Sequence, residues 1–87
     1  MATYIVCYDV SDNGRRAKIA KALKTHGKRI QRSVFIIEVT EAGLQRITKT
    51  VSKLIQDEDS ILFFIICQNC LDKAHVYAKP TKSALVV

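Results

Sequence analysis

The sequence has 87 residues, of which 48% are hydrophobic, and this is enough for the core of one small domain. Fourteen lysines and arginines against eight acidic residues give a formal charge of +6, which favours nucleic acid or another polyanion as a partner. The longest apolar run, residues 61–67, is far too short to cross a bilayer, and no apolar region follows a charged leader at the N-terminus. We therefore expect a cytoplasmic protein with no membrane association and with its three cysteines reduced.

Runs of β-branched and aromatic residues predict the strands of the chain. These strands cover residues 3–10, 28–31, 34–39 and 61–67, with a further strand at 75–78. Residues 61–67 contain no alternating polar residue, so this strand is expected to be apolar on both of its faces.

Two helices are predicted between these strands. The first covers residues 15–26, with Ser11 or Asp12 as its N-cap and Gly27 as its C-cap. The second begins after Thr40, and its apolar residues recur at three- and four-residue spacing. These residues are Leu44, Ile47, Val51 and Leu54.

The order βαββαβ with an additional C-terminal strand is typical of an α+β fold, the ferredoxin-like sandwich. We expect a single domain over residues 1–79 and a flexible tail over residues 80–87. Two helices cover only one face of such a sheet, yet the predicted strands are apolar on both faces. The second face is therefore expected to pack against another copy of the chain, which predicts a homodimer.

Asp9 ends the first predicted strand, on the same side as Ile5 and Cys7. If that side is the dimer face, two copies of Asp9 meet near the twofold axis and repel each other. A divalent cation such as Mg²⁺ would offset this repulsion and could activate water for phosphodiester cleavage. The structural alternative, which is the commoner case for such a carboxylate, is that Asp9 caps the turn or pairs with Arg16.

A dense basic cluster extends from the first helix into the next strand. It holds eight of the fourteen cations within eighteen positions, and no acidic residue lies between Asp12 and Glu38. Its members are Arg15, Arg16, Lys18, Lys21, Lys24, Lys28, Arg29 and Arg32. Such a density favours binding to nucleic-acid phosphates over the alternative of a merely solvated helix face.

The segment CQNC places Cys67 and Cys70 at the spacing of half a zinc site. Further ligands could come only from Cys7, His26, His75 or a second chain. We interpret the pair as ordinary thiols, and a redox role is disfavoured because the motif is predicted to end a strand instead of opening a helix.

The segments YDVSDNGRRAKIAKAL and GKRIQRSVF, followed by a strand that ends in CQNC, together resemble the family of CRISPR-associated protein two. The resemblance covers the chain from Tyr4 to about Tyr77. It implies a ferredoxin-like homodimer whose last strand can cross onto the partner's sheet. It also implies nuclease activity on RNA or double-stranded DNA with Mg²⁺ or Mn²⁺, and a bridging role between integrase dimers in CRISPR adaptation.

By position, the resemblance implies that Asp9 is the metal-binding and catalytic aspartate, with Tyr8 beside it in the catalytic site. Arg16, Lys18 and Arg29 match basic positions that bind substrate phosphates, and Phe35 matches an aromatic position near the site. Arg15 and Arg32, from the same basic cluster, complete the predicted nucleic-acid-binding set.

Two positions depart from the pattern of the family. Lys18 stands where some members have arginine, which keeps the charge but loses the bidentate fork. Ile36 stands where many members have glutamate, and Glu38, on the same side of the strand, could compensate in part.

The hypothesis with most support is a CRISPR adaptation protein with metal-dependent endonuclease, that is phosphodiesterase, capability. Its expected partners are a second copy, the CRISPR integrase subunit, and double-stranded DNA or single-stranded RNA. The alternatives are a non-catalytic DNA-binding scaffold that bridges the integrase and a toxin-like ribonuclease of similar fold.

Overall fold

The computed structural model describes residues 1–77, which form one antiparallel sheet of four strands and three helices. In chain order, the elements are β1 (Ala2–Asp9), α1 (Asn13–Lys24), β2 (Gly27–Gln31), β3 (Val34–Val39), α2 (Glu41–Leu54), β4 (Ser60–Ile66) and α3 (Gln68–Asp72). The strands lie in the order β2-β3-β1-β4, so β1 and β3 are central. The predicted ferredoxin-like α+β fold is confirmed.

Both predicted N-caps are present. The side chain of Asp12 accepts a hydrogen bond of 2.8 Å from the backbone N–H of Arg15 at the start of α1. Thr40 caps α2 in the same way, accepting from the N–H of Gly43 at 3.0 Å. Each cap satisfies one of the amide donors that the first turn of a helix leaves without a partner.

The predicted role of Gly27 as a C-cap is wrong. Thr25 caps α1, and Gly27 is already the first residue of β2, paired with Ile37 of β3. A Cβ atom at position 27 would lie 1.8 Å from the carbonyl oxygen of Ile36. Glycine is needed here because two backbones approach each other closely, not because a helix ends.

The core lies between the sheet and the two longer helices. Alternate residues of β1 and β3 point into it, including Val6, Phe35 and Ile37, each at most 1% exposed. Ile19 and Leu23 of α1 are fully buried against them. Truncating a side chain at any of these sites typically costs about 2–5 kcal/mol of stability.

The opposite face of the sheet is apolar and lies away from α1 and α2, whose buried residues pack on the core face. On β4, Leu62 and Phe64 are 53% and 54% exposed, and they pair with Cys7 and Ile5 of β1. Ile36 of β3 pairs with Ile5 from the other side. We call this surface the open face, and its apolar composition agrees with the sequence pattern.

The predicted C-terminal strand does not form over residues 75–77 of the single chain. Instead of a strand, residues 75–77 have no regular structure, and a short helix, α3, follows β4 with Leu71 buried. Residue 78 of the predicted strand, the domain boundary at residue 79 and the tail at 80–87 lie outside the described residues. No helix in the described part of the chain has both the length and the apolarity of a membrane span.

Candidate nucleic-acid interface

A basic pocket of about 390 Å³ lies where α1, β2 and the turn between β2 and β3 meet. Arg16 of α1, Arg29 of β2 and Arg32 of the turn line it, together with Tyr8, Ala17 and Ser33. We call it the arginine pocket. Three guanidinium groups around one cavity suit a phosphate group, since each offers a planar fork of N–H donors.

Aromatic rings buried behind the arginine pocket support it. Tyr8 and Phe35 stack with their centroids 6.3 Å apart and an interplanar angle of 29°. The guanidinium carbon of Arg29 lies 5.3 Å from the centroid of the Phe35 ring, a cation–π geometry that orients this arginine. Phe35 is only 1% exposed, so direct contact with nucleic acid, as predicted, does not fit this structure. Its place is beneath Arg29.

A backbone hydrogen bond ties the arginine pocket to the end of β1. The N–H of Tyr8 donates to the carbonyl of Ser33 at 3.0 Å. This contact holds the turn that carries Arg32 against the strand that ends at Asp9.

Asp9 is exposed at the end of β1, where it pairs with Ser60 of β4. Its neighbours Tyr8 and Val10 are buried beneath the helices, so Asp9 lies on the other side, at the margin of the open face. The arginine pocket and Asp9 therefore occupy the same end of the sheet but opposite sides of it. One chain does not bring them together on a single surface.

Neither structural alternative for Asp9 is seen. The cap of α1 is Asp12, and within residues 1–77 the ion pairs are those that Arg15 makes with Glu58 and Asp59. Asp9 has no cationic partner among these. Its carboxylate is thus free to bind a ligand at the margin of the open face.

Arg15 has a structural role instead of the predicted contact with nucleic acid. Its Nε donates to Asp59 Oδ2 at 2.9 Å and its Nη2 donates to Asp59 Oδ1 at 3.2 Å. This hydrogen-bonded pair lowers the pKa of the Asp59 carboxyl below its ordinary value and raises the pKa of Arg15. Asp59 also accepts from the N–H of Gln56, which fixes the loop before β4.

Lys18 is exposed on α1, outside the arginine pocket. The five cations of the predicted set therefore divide into three groups: Arg16, Arg29 and Arg32 around the pocket, Lys18 on the surface, and Arg15 in an ion pair. The basic cluster of the sequence could not show this division, because adjacent helical residues such as Arg15 and Arg16 point in different directions.

Glu38 does not compensate for Ile36. Glu38 pairs with Thr3, at the opposite end of β1 from Asp9. Asp9 is six positions along the strand from Thr3, which is roughly 20 Å. Ile36, opposite Ile5, belongs to the apolar open face.

The CQNC segment opens a helix, contrary to the sequence prediction. Cys67 is the N-cap of α3, and Cys70 lies in its first turn. Sequence reasoning missed α3 because five residues with one buried apolar side chain show no helical periodicity. Among the described residues, no third His, Cys, Asp or Glu joins the two thiols in a metal-binding group.

Comparison with known proteins identifies the family. The family model of CRISPR associated protein Cas2 matches residues 1–74. The chain belongs to the Cas2 family. It is 31% identical to a CRISPR-associated endoribonuclease Cas2 of Synechocystis sp., over 92% of this chain and 88% of that protein. A CRISPR-associated endoribonuclease Cas2 of Archaeoglobus fulgidus is 36% identical, over 84% of this chain and 80% of the relative.

Solved structures agree with this assignment. Cas2 of Streptococcus pyogenes superimposes with a TM-score of 0.81 at 28% identity, covering 87% of this chain and 99% of the other. A chain of a partial Cas6-RT-Cas1–Cas2 complex has the same fold, with a TM-score of 0.77 at 22% identity, and covers 100% of this chain and 98% of the other. The predicted resemblance to the family is confirmed.

Proposed function

We propose that this Cas2 family member is a CRISPR adaptation protein that cleaves phosphodiester bonds as a metal-dependent homodimer in the cytoplasm. The observation that carries the proposal is the position of Asp9. Its carboxylate is exposed without a cationic partner within residues 1–77, at the end of the sheet that also holds the arginine pocket.

The open face supports the proposed homodimer. Leu62 and Phe64 expose more than half of their surface there, beside Ile5 and Ile36. Removing apolar surface of this kind from water is favourable, and in a twofold dimer the same surface of each copy covers that of the other. Asp9 borders this face, so a twofold arrangement gives the assembled protein one Asp9 from each chain.

Asp9 fits a hard divalent cation such as Mg²⁺ or Mn²⁺. It supplies an exposed oxygen ligand, and Mg²⁺ is commonly bound through one or two carboxylates while it keeps several of its waters. When bound, such a metal supplies a Lewis acid for the phosphate and a water of lowered pKa. We propose Asp9 of both chains as its protein ligands.

The remaining residues of the site hold the substrate. Arg16, Arg29 and Arg32 would bind backbone phosphates in the arginine pocket, where the ring of Phe35 keeps Arg29 in place. Tyr8 lines the same pocket and precedes Asp9, so its proposed role is to hold the bound phosphate at this end of the sheet, on the opposite side of β1 from Asp9. Contacts of this kind read the backbone and carry no sequence information.

We propose single-stranded RNA or double-stranded DNA as the substrate. The relatives from Synechocystis and Archaeoglobus carry the name endoribonuclease, which supports RNA. The integrase subunit is the proposed protein partner, because a chain of the same fold belongs to a Cas6-RT-Cas1–Cas2 complex.

The test is cleavage of labelled single-stranded RNA and of duplex DNA, each with Mg²⁺, with Mn²⁺ and with a chelator, while binding is followed in parallel. We expect cleavage of at least one substrate that the chelator abolishes. Binding of duplex DNA without any cleavage would overturn the enzymatic proposal in favour of the scaffold.

A further inference from the structure

Cys67 and Cys70 form a close pair of exposed thiols at the end of β4. Cys67 directly follows the strand, and Cys70 lies in the first turn of α3. The two sulfur atoms share a hydrogen bond of 3.3 Å, and both residues are exposed. Leu71 is buried and anchors this short helix on the domain. The thiols are therefore held beside each other on ordered backbone and are open to solvent.

The two thiols are chemically different. The backbone N–H of Cys70 donates to Cys67 Sγ at 3.4 Å, in addition to the contact between the sulfurs. Hydrogen bonds from Cys70 lower the pKa of the Cys67 thiol, and the same contact raises the pKa of the Cys70 thiol. Cys67 is thus the better nucleophile of the pair at neutral pH, and Cys70 is placed to react second.

We propose that Cys67 and Cys70 are an oxidisable dithiol site that reacts with low-molecular-weight disulfides and closes to an intramolecular disulfide. This site is independent of the proposed nuclease function. The Cys67 thiolate attacks one sulfur of the disulfide, forming a mixed disulfide and releasing the other half as a thiolate. The Cys70 thiolate then attacks Cys67 Sγ and releases the second half. The protein loses two electrons and two protons, and one disulfide becomes two thiols.

The third cysteine provides an internal control. Cys7 lies on β1 and pairs with Leu62 of β4. Leu62 is five positions before Cys67 in the sequence. That separation is roughly 16 Å of strand, far beyond the reach of a disulfide. An intramolecular bond can therefore join Cys67 only to Cys70 within one chain.

The experiment incubates the protein with an excess of oxidised glutathione, alkylates it with a maleimide under denaturing conditions and measures its mass. We expect alkylation to fall from three adducts to one, with no bound glutathione and no cross-linked dimer, and reduction by dithiothreitol to restore all three. In the variant Cys7→Ser both remaining thiols should be lost in the same way. Retention of three adducts, or accumulation of only mixed or intermolecular disulfides, would overturn the proposal.

Single variants test the order of attack. Cys70→Ser should accumulate a stable mixed disulfide with glutathione at Cys67, because the resolving thiol is absent. Cys67→Ser should form its mixed disulfide more slowly, because the backbone N–H that donates to Cys67 Sγ remains in Cys70→Ser and keeps Cys67 the better nucleophile. Equal rates in the two variants would overturn the assignment of Cys67 as the attacking thiol. The readout is mass alone, so the result does not depend on whether the nuclease proposal holds.

Discussion

Arg15 and Asp59 are joined by two parallel hydrogen bonds, of 2.9 and 3.2 Å, that tie the start of α1 to the loop before β4. Asp59 is followed by Ser60, the residue that pairs with Asp9 at the end of β1. The ion pair thus braces the end of the sheet on which the candidate site lies. A cation that the sequence assigned to nucleic acid stabilises the fold there.

We predict that Asp59→Asn lowers the melting temperature at neutral pH, because the substitution removes the charge that Arg15 pairs with. The pKa of Asp59 is lowered in the folded protein. The stabilisation that this ion pair gives the fold is therefore fully present at pH values above the ordinary pKa of a carboxyl, and it is lost as the pH falls through the lowered pKa. Thermal melts from pH 7 to pH 2 should show that the difference in melting temperature between wild type and variant becomes smaller at acidic pH. Glu58→Gln, at the 3.6 Å contact, is the control and should change little. A gap that does not change with pH would contradict this account.

Gly27→Ala should destabilise the protein strongly, since the new Cβ would lie 1.8 Å from the Ile36 carbonyl oxygen and the backbone of β3 cannot move cheaply. We expect a loss of about 1–3 kcal/mol or more, measured by chemical denaturation. In Gly14→Ala the nearest atom is the end of the Asp12 side chain at 3.2 Å, so the change should stay within about 1 kcal/mol. Similar stabilities for the two variants would contradict the close approach.

Arg29→Ala should weaken binding to RNA and duplex DNA alike, because it removes one phosphate contact from the arginine pocket. The slope of log affinity against log salt should become shallower by about one. Lys53→Ala, which removes an exposed cation in the last turn of α2, serves as the matched control. An equal change of slope in both variants would contradict a phosphate contact of Arg29 in the arginine pocket, since binding would then depend only on the total charge of the protein.

Phe64→Glu should convert the proposed homodimer to a monomer, because it places a charge on the apolar open face, at a side chain that is 54% exposed in the single chain. Ile65→Glu is a close control, since this neighbour is 69% exposed but lies on the other side of β4. Sedimentation of both variants and of wild type measures the difference. A wild-type monomer, or equal dissociation in both variants, would contradict the assigned interface.

The sequence predicts most of the fold because its signals are local and strong. Asp12 and Thr40 are cap residues placed directly before helical segments, and the β-branched and aromatic residues of 34–39 form the strand β3. Asp9 could be placed on the correct side of β1 from the two-residue period of a strand.

What the sequence does not predict depends on contacts between distant residues. Nothing near Arg15 indicates that its partner is Asp59, 44 positions later. The close backbone approach that requires Gly27 exists only once β2 pairs with β3, and a glycine after a helix is more often a C-cap. The burial of Phe35 depends equally on packing, since an aromatic residue in a strand suits a core and a nucleic-acid surface alike.

The central claim is that Asp9 carries the cleavage chemistry. The most direct measurement compares the cleavage rates of wild type, Asp9→Asn and Glu38→Gln on labelled single-stranded RNA and duplex DNA with Mg²⁺. Glu38→Gln removes an exposed carboxylate of the same sheet at its far end, so it should cut like wild type. Asp9→Asn should bind both nucleic acids but cut at least about a hundredfold more slowly, since a metal site contributes several kcal/mol to such a reaction. Cleavage by Asp9→Asn at the wild-type rate would contradict the account.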